Sequence, residues 1–195
     1  GEQFHRAIAS GLRKQTFEEC LIPFRCIACT DGAPMQRHVF RSGSLLAAIS
    51  ASMSLPGLLL AREANGTRQR GFYDGGLVEK TPLRSPIADH LRSGDKRRLL
   101  LLGTHFGSEV AMVEAARGFV ARFMATIQAM ESLVWSYQHA EAAKRQDVTL
   151  LLLDPHIHDA NSFDFSRTER DYLEAREYFK DRLQNARLAL SLALP

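Results

Sequence analysis

Apolar residues recur along the chain in two rhythms, and their alternation predicts a mixed α/β protein. Phe4, Ile8 and Leu12 stand four apart within residues 2–14, the spacing of one helix face. Thr16 with Glu18-Glu19 marks a short second turn. Residues 22–30 read as a buried strand, Thr30-Asp31-Gly32 as a turn, and 36–41 as a strand of alternating character. The Ala/Leu/Ser-rich run SLLAAISASMSLP predicts a helix stopped by Pro56, because proline cannot supply the N–H that the ladder needs. The polar stretch REANGTRQR then predicts an exposed hairpin or loop leading into Phe72-Tyr73-Asp74-Gly75-Gly76.

The second half keeps the same alternation. A turn-rich piece with Pro82 and Pro86 precedes a short helix through Ile87 and Leu91. RRLLLLGT and VTLLLLD are continuous apolar runs, the pattern of strands covered on both faces. Between them Met112, Ala116, Phe119, Phe123, Ile127, Met130, Val134 and Tyr137 recur at steps of three and four, predicting a long helix with one face on the sheet. A last helix is expected from 164–166, with Ser166 and Glu169 spaced as a capping box, through Tyr172, Phe179 and Leu183. Strands interleaved with helices predict a layered α/β sheet.

Composition narrows the class. With 195 residues, 45% of them hydrophobic, the chain can bury one sizeable core, so one domain or part of one is expected. Its 25 basic and 22 acidic residues leave a charge of only +3. The basic residues form no block, so no nucleic-acid partner is expected. No apolar run approaches the ~20 residues of a spanning helix. Residues 1–15 carry polar residues throughout and do not read as a secretion signal; localisation is left open, with a cytoplasmic or peripheral-membrane protein favoured.

Cys20, Cys26 and Cys29 are an odd set, which argues against a disulfide framework. The C-x-x-C at Cys26 and Cys29 falls in the strand-like FRCIACT, where residues three apart face opposite ways, so buried core thiols are expected and no metal site.

Two segments carry chemistry. Ala47-Ala48-Ile49-Ser50-Ala51-Ser52-Met53-Ser54-Leu55-Pro56 is followed, one loop later, by Phe72-Tyr73-Asp74-Gly75-Gly76-Leu77-Val78 and Pro82. In this order and separation they resemble the patatin-like phospholipase family, where an Ala-Ser-x-x-x-Pro segment precedes an Asp-Gly-Gly loop. Thr16-Phe17-Glu18-Glu19 before Thr30-Asp31, and Asp154-Pro155 with Phe163-Asp164-Phe165-Ser166, are similar to the family's flanking segments.

The resemblance implies a three-layer α/β/α sheet, incomplete at its N-terminal side, with residues 1–195 forming the C-terminal part of a single patatin-like domain. It further implies a serine lipid acyl hydrolase of phospholipase A or lysophospholipase type, using a Ser-Asp dyad with no histidine and no cofactor. Asp74 matches the catalytic base, while Gly75 and Gly76 shape its loop. A carboxylate is a weak base, with a free pKa of roughly 3.9, so geometry must help it deprotonate a serine hydroxyl. The expected partner is a phospholipid or lysophospholipid, with peripheral membrane contact.

The G-x-S-x-G elbow and the glycine-rich oxyanion loop of the family do not occur in these 195 residues. Ser44 and Ser52 lack flanking glycines, and Ser10-Gly11 has Ile8 two positions upstream. The nucleophile is therefore expected in an N-terminal segment of the same protein, outside this chain, and the chain alone is expected to be inactive. A noncatalytic lipid- or partner-binding relative of the same fold is the alternative, and an unrelated α/β binding domain is a second. Glu79-Lys80-Thr81 stands where the family often places an amide residue.

Other polar residues read as structural or solvated. His156 and His158, with Asp154 and Asp159, imitate a metal site without an assured third ligand. His105 follows an apolar run, at the strand end where α/β sheets display functional groups. Asp95-Lys96-Arg97-Arg98 reads as a charged turn, and Trp135 and Tyr137 read as part of a core stripe.

Overall fold

The computed structural model describes residues 2–57, 59–104, 118–153, 155 and 168–193. It contains helices α1 (Glu2–Gly11), α2 (Leu45–Ser52), α3 (Arg84–Ser93), α4 (Phe119–Ala143) and α5 (Thr168–Ala193). The strands are β1 (Cys26–Thr30), β2 (Arg37–Phe40), β3 (Phe72–Asp74), β4 (Leu99–Thr104) and β5 (Val148–Leu153). Two 3-10 turns, Phe17–Glu19 and Gly75–Leu77, complete the elements. The mixed α/β class expected from the residue pattern is present. Among the described residues the strands form two hydrogen-bonded sheets, β2-β1-β3 and β4-β5.

The chain divides into two compact units. The first comprises Gly1–Ser85 and Thr126–Glu141. Its sheet is antiparallel, with Ala28 opposite both His38 of β2 and Asp74 of β3. Small residues let α2 lie close on one face of this sheet: Ala28, Ala51 and Ala61 form a core patch edged by Phe40 and Phe72. A second patch joins Phe17, Cys26, Leu45 and Ala48. Ser44 begins α2 as its cap, accepting a hydrogen bond from the Ala47 amide at 3.2 Å.

The segment after α2 ties the helix to β3. The Ser54 hydroxyl lies 2.9 Å from the Ala51 carbonyl and 3.0 Å from that of Phe72, and its single proton serves one at a time. Ser50 accepts the Arg62 amide at 2.8 Å. The polar run after Arg62 is the expected hairpin: Arg62 and Arg68 form an antiparallel bridge, and the Glu63 amide donates to the Thr67 carbonyl at 2.8 Å.

The second unit comprises Pro86–Ala125 and Ala142–Pro195. Its strands β4 and β5 run parallel in register from Leu99–Val148 to Thr104–Leu153. Parallel neighbours require a long crossover, which accounts for the helical segment between them. Asp95 closes the turn before β4 by accepting the Arg97 amide at 2.9 Å and its guanidinium at 2.7 Å.

Three expectations need correction. The first strand begins at Cys26 rather than at residue 22, because Pro23 has no amide to donate, and Leu21 is 97% exposed. β4 is not covered on both faces by the described residues: Leu101 is buried, whereas Leu100 and Leu102, one step either side, are about half exposed. The long helical stripe is only partly core. Ile127 is buried, but Phe119, Met130 and Tyr137 are exposed. Met112, Ala116, His105, Asp154, His156, His158, Asp159 and the segment 163–166 lie outside the described residues.

One buried acid anchors the first unit. Glu79 accepts the Arg84 amide at 2.6 Å and the Ser85 amide at 3.2 Å, capping the α3 N-terminus from five residues upstream. Its second oxygen takes the Ser85 hydroxyl at 3.3 Å and the Arg37 guanidinium at 3.0 Å. Glu79→Ala orphans all four donors, and a loss of roughly 2–4 kcal/mol in unfolding free energy is expected by urea denaturation, with Glu79→Gln intermediate.

Candidate functional site

Asp74 is the last residue of β3, and three constraints hold it there. Its register partner is Ala28, its amide donates to the Ser54 carbonyl at 2.7 Å, and its own carbonyl accepts the Cys29 thiol at 3.4 Å. The Ala-Ser-x-x-x-Pro segment therefore acts physically on Asp74. Once α2 ends, Ser54 lies beside β3 and binds the backbone at both Phe72 and Asp74.

Immediately after Asp74 the chain turns over β1, and both glycines are required by neighbours. A Cβ on Gly75 would lie 2.2 Å from the Ile27 carbonyl oxygen, inside van der Waals contact with backbone that cannot retreat. A Cβ on Gly76 would lie 2.7 Å from Glu131 Oε1 and 3.1 Å from Asp74 Oδ1. The Gly76 amide donates to Asp74 Oδ1 at 2.7 Å, so the turn orients the carboxylate that precedes it.

The electrostatics make Asp74 a better base than a free aspartate. Burial pushes its pKa up to about 6, the Gly76 N–H pulls in the opposite direction, and the nearby Glu131 charge adds to the rise. Burial also raises Glu131, against the stabilising charge of Lys80, whose Nζ lies 3.7 Å from Glu131 Oε2. The Cys26 and Cys29 thiols are raised first by burial, with the negative charge of Asp74 adding to it. They lie on opposite faces of β1: Cys26 donates to the Ala48 carbonyl of α2, and Cys29 to the Asp74 carbonyl. All three cysteines are free.

Glu131 and Glu79 escape sequence reasoning. Glu131 shows in the sequence only as an acid one position after Met130 of the helical stripe, and Glu79 as a departure from the amide residue that the family often places near Pro82. The Gln138 side chain of the same helix donates to the Val78 carbonyl at 2.7 Å, fixing α4 beside the Asp74 turn.

The unit thus holds a partly desolvated aspartate at a strand-to-turn junction, with a second buried carboxylate near it. Residues 2–87, which contain both the α2 segment and the Asp-Gly-Gly turn, match the family model Patatin, described as patatin-like phospholipase. The match shows the patatin-like resemblance over that segment and supports a lipid-hydrolase family. Among the described residues no helix is long and apolar enough to cross a membrane.

Because the native Asp74 carboxyl holds its proton more tightly than an unfolded aspartate, it favours folding below about pH 4 and loses that contribution as pH rises through about 6. Asp74→Asn keeps the Gly76 bond without the charge. It is expected to be more stable than the parent by about 2 kcal/mol at pH 7.5, the difference vanishing below pH 4 in urea titrations. Gly75→Ala is expected to prevent or severely weaken folding, read by circular dichroism.

Proposed function

We propose that this chain supplies the base half of a serine lipid acyl hydrolase of phospholipase A or lysophospholipase type, with Asp74 as the general base. The observation that carries the reading is Asp74 itself: a carboxylate raised in basicity by burial, oriented by the Gly76 amide, on a turn whose glycines let it pass close over β1 and Glu131. The match of residues 2–87 to the patatin-like phospholipase model supports the lipid ester substrate class.

In the proposed reaction a serine from sequence outside residues 1–195 attacks the ester carbonyl. Its O–H bond breaks as the proton passes to Asp74, an acyl-serine forms, and the alcohol leaves with that proton. Water then repeats the sequence, giving the fatty acid and restoring the serine. Asp74 exchanges one proton in each half. Backbone amides beside the serine would hold the oxyanion. The substrate is a phospholipid or lysophospholipid met at a membrane surface.

The test is fluorophosphonate labelling and ester hydrolysis of the protein carrying its upstream sequence. Labelling at one upstream serine is expected, and Asp74→Asn should lower kcat by 10²-fold or more. In the parent, kcat/KM should rise with pH through about 6 as Asp74 loses its proton. A folded protein that neither labels nor hydrolyses lysophospholipid would favour the noncatalytic relative.

A further inference from the structure

Glu131 is an odd residue for its place. It lies on α4 with its side chain only 15% exposed, beside a second buried carboxylate, and burying like charges together is unfavourable without a compensating use. Its two oxygens have different neighbours. Oε2 faces the Lys80 ammonium at 3.7 Å, and that side chain is itself 19% exposed. Oε1 occupies the space that a side chain on Gly76 would fill, 2.7 Å from that Cβ position, while Asp74 Oδ1 stands 3.1 Å from the same point. The two carboxylates thus flank one glycine, and that glycine's amide holds Asp74.

An anchor for Lys80 alone would not need this arrangement, since an exposed acid on the outer face of α4 would serve at lower desolvation cost. The Glu131 position instead places a charge against the turn that carries Asp74. Gln138, two turns along the same helix, fastens α4 to the Val78 carbonyl and so keeps Glu131 at that distance.

We propose that Glu131, paired with Lys80, is a positioning residue for Asp74: it packs against the Gly76 turn and supplies the negative charge beside the base. The proposal rests on the reading of Asp74 as the base. When Asp74 accepts the serine proton, one of two adjacent negative charges is neutralised, so proton transfer relieves their repulsion. The Lys80 ammonium favours the charged form of Glu131 against the burial that disfavours it. The groups around Asp74 are Glu131 from α4, the Cys26 and Cys29 thiols from β1, and the Gly76 amide from its own turn, with Lys80 beyond Glu131. Glu131 is the carboxylate among them, and the direction of its effect on Asp74 is upward.

The experiment is a carboxyl carbon-13 NMR titration of Asp74, assigned by its disappearance in Asp74→Asn, in the parent, Glu131→Gln and Glu131→Asp, each with its amide spectrum as a check of folding. The Asp74 midpoint is expected to fall by about one pH unit in Glu131→Gln, with Glu131→Asp between the two. The rising limb of kcat/KM in the protein with its upstream sequence should move by the same amount, with KM unchanged. Equal Asp74 midpoints in all three folded proteins would overturn the proposal, as would a midpoint that rises in Glu131→Gln. If the midpoints move as expected while Asp74→Asn still hydrolyses ester at the parental rate, the coupling stands and the assignment of Asp74 as base falls.

Discussion

The passage of the Gly75 backbone across the Ile27 carbonyl is the contact on which the candidate site depends. With 2.2 Å between that oxygen and the place of a Cβ, only glycine allows the chain to leave β3 and turn at once over β1. Because β1 and β3 are antiparallel neighbours with Ala28 opposite Asp74, the turn is forced to begin where the carboxylate stands. Backbone crowding sets the position of Asp74, and the Gly76 amide then satisfies one oxygen of its side chain. Sheet register, the two glycines and the orientation of the acid are one constraint seen from three sides.

Two acids within six residues of each other are used in opposite ways. Glu79 is buried and saturated, with amides, a hydroxyl and a guanidinium around its two oxygens, so its charge is consumed in holding α3. Asp74 is partly buried and bonded by the Gly76 amide, with the Glu131 carboxylate adding to the effect of burial. Pairing with donors and a cation produces a structural anchor, whereas burial beside a like charge leaves a group whose proton affinity is raised. The second state costs stability, and sites of chemistry are where such a cost is retained.

Much of the first unit was legible in local pattern. The small residues before Pro56 marked α2, although it ends at Ser52 and not at the proline, alternation marked β2, and Asp-Gly-Gly marked the turn at Asp74. The strand position of C-x-x-C already implied that its thiols face apart, as Cys26 and Cys29 do. What could not be read were relations between distant segments. Nothing local says that Glu131, 57 residues beyond Asp74, reaches the same glycine, or that Ser54 rather than Ser52 binds β3. The strand start failed at Pro23, where hydrophobicity pointed to a strand and the missing amide decided otherwise. The RRLLLLGT run misled for a related reason: apolar content reports what a strand tolerates, while cover depends on the residues packed against it.

The Asp74–Ser85 stretch is fastened at both ends, by the Ser54 carbonyl at the Asp74 amide and by the Glu79 carboxylate at the start of α3, with the Glu79 amide also bonded to the Gly75 carbonyl at 2.8 Å. A connection so pinned has no slack in its contour. Surface loops ordinarily absorb added or lost residues with little penalty, because their closure entropy changes slowly with length. Here one residue more or fewer would break the Glu79 cap or pull Asp74 out of register. Descendants of this sequence should therefore keep Glu79, and should inherit the spacing from the aspartate to the helix unchanged.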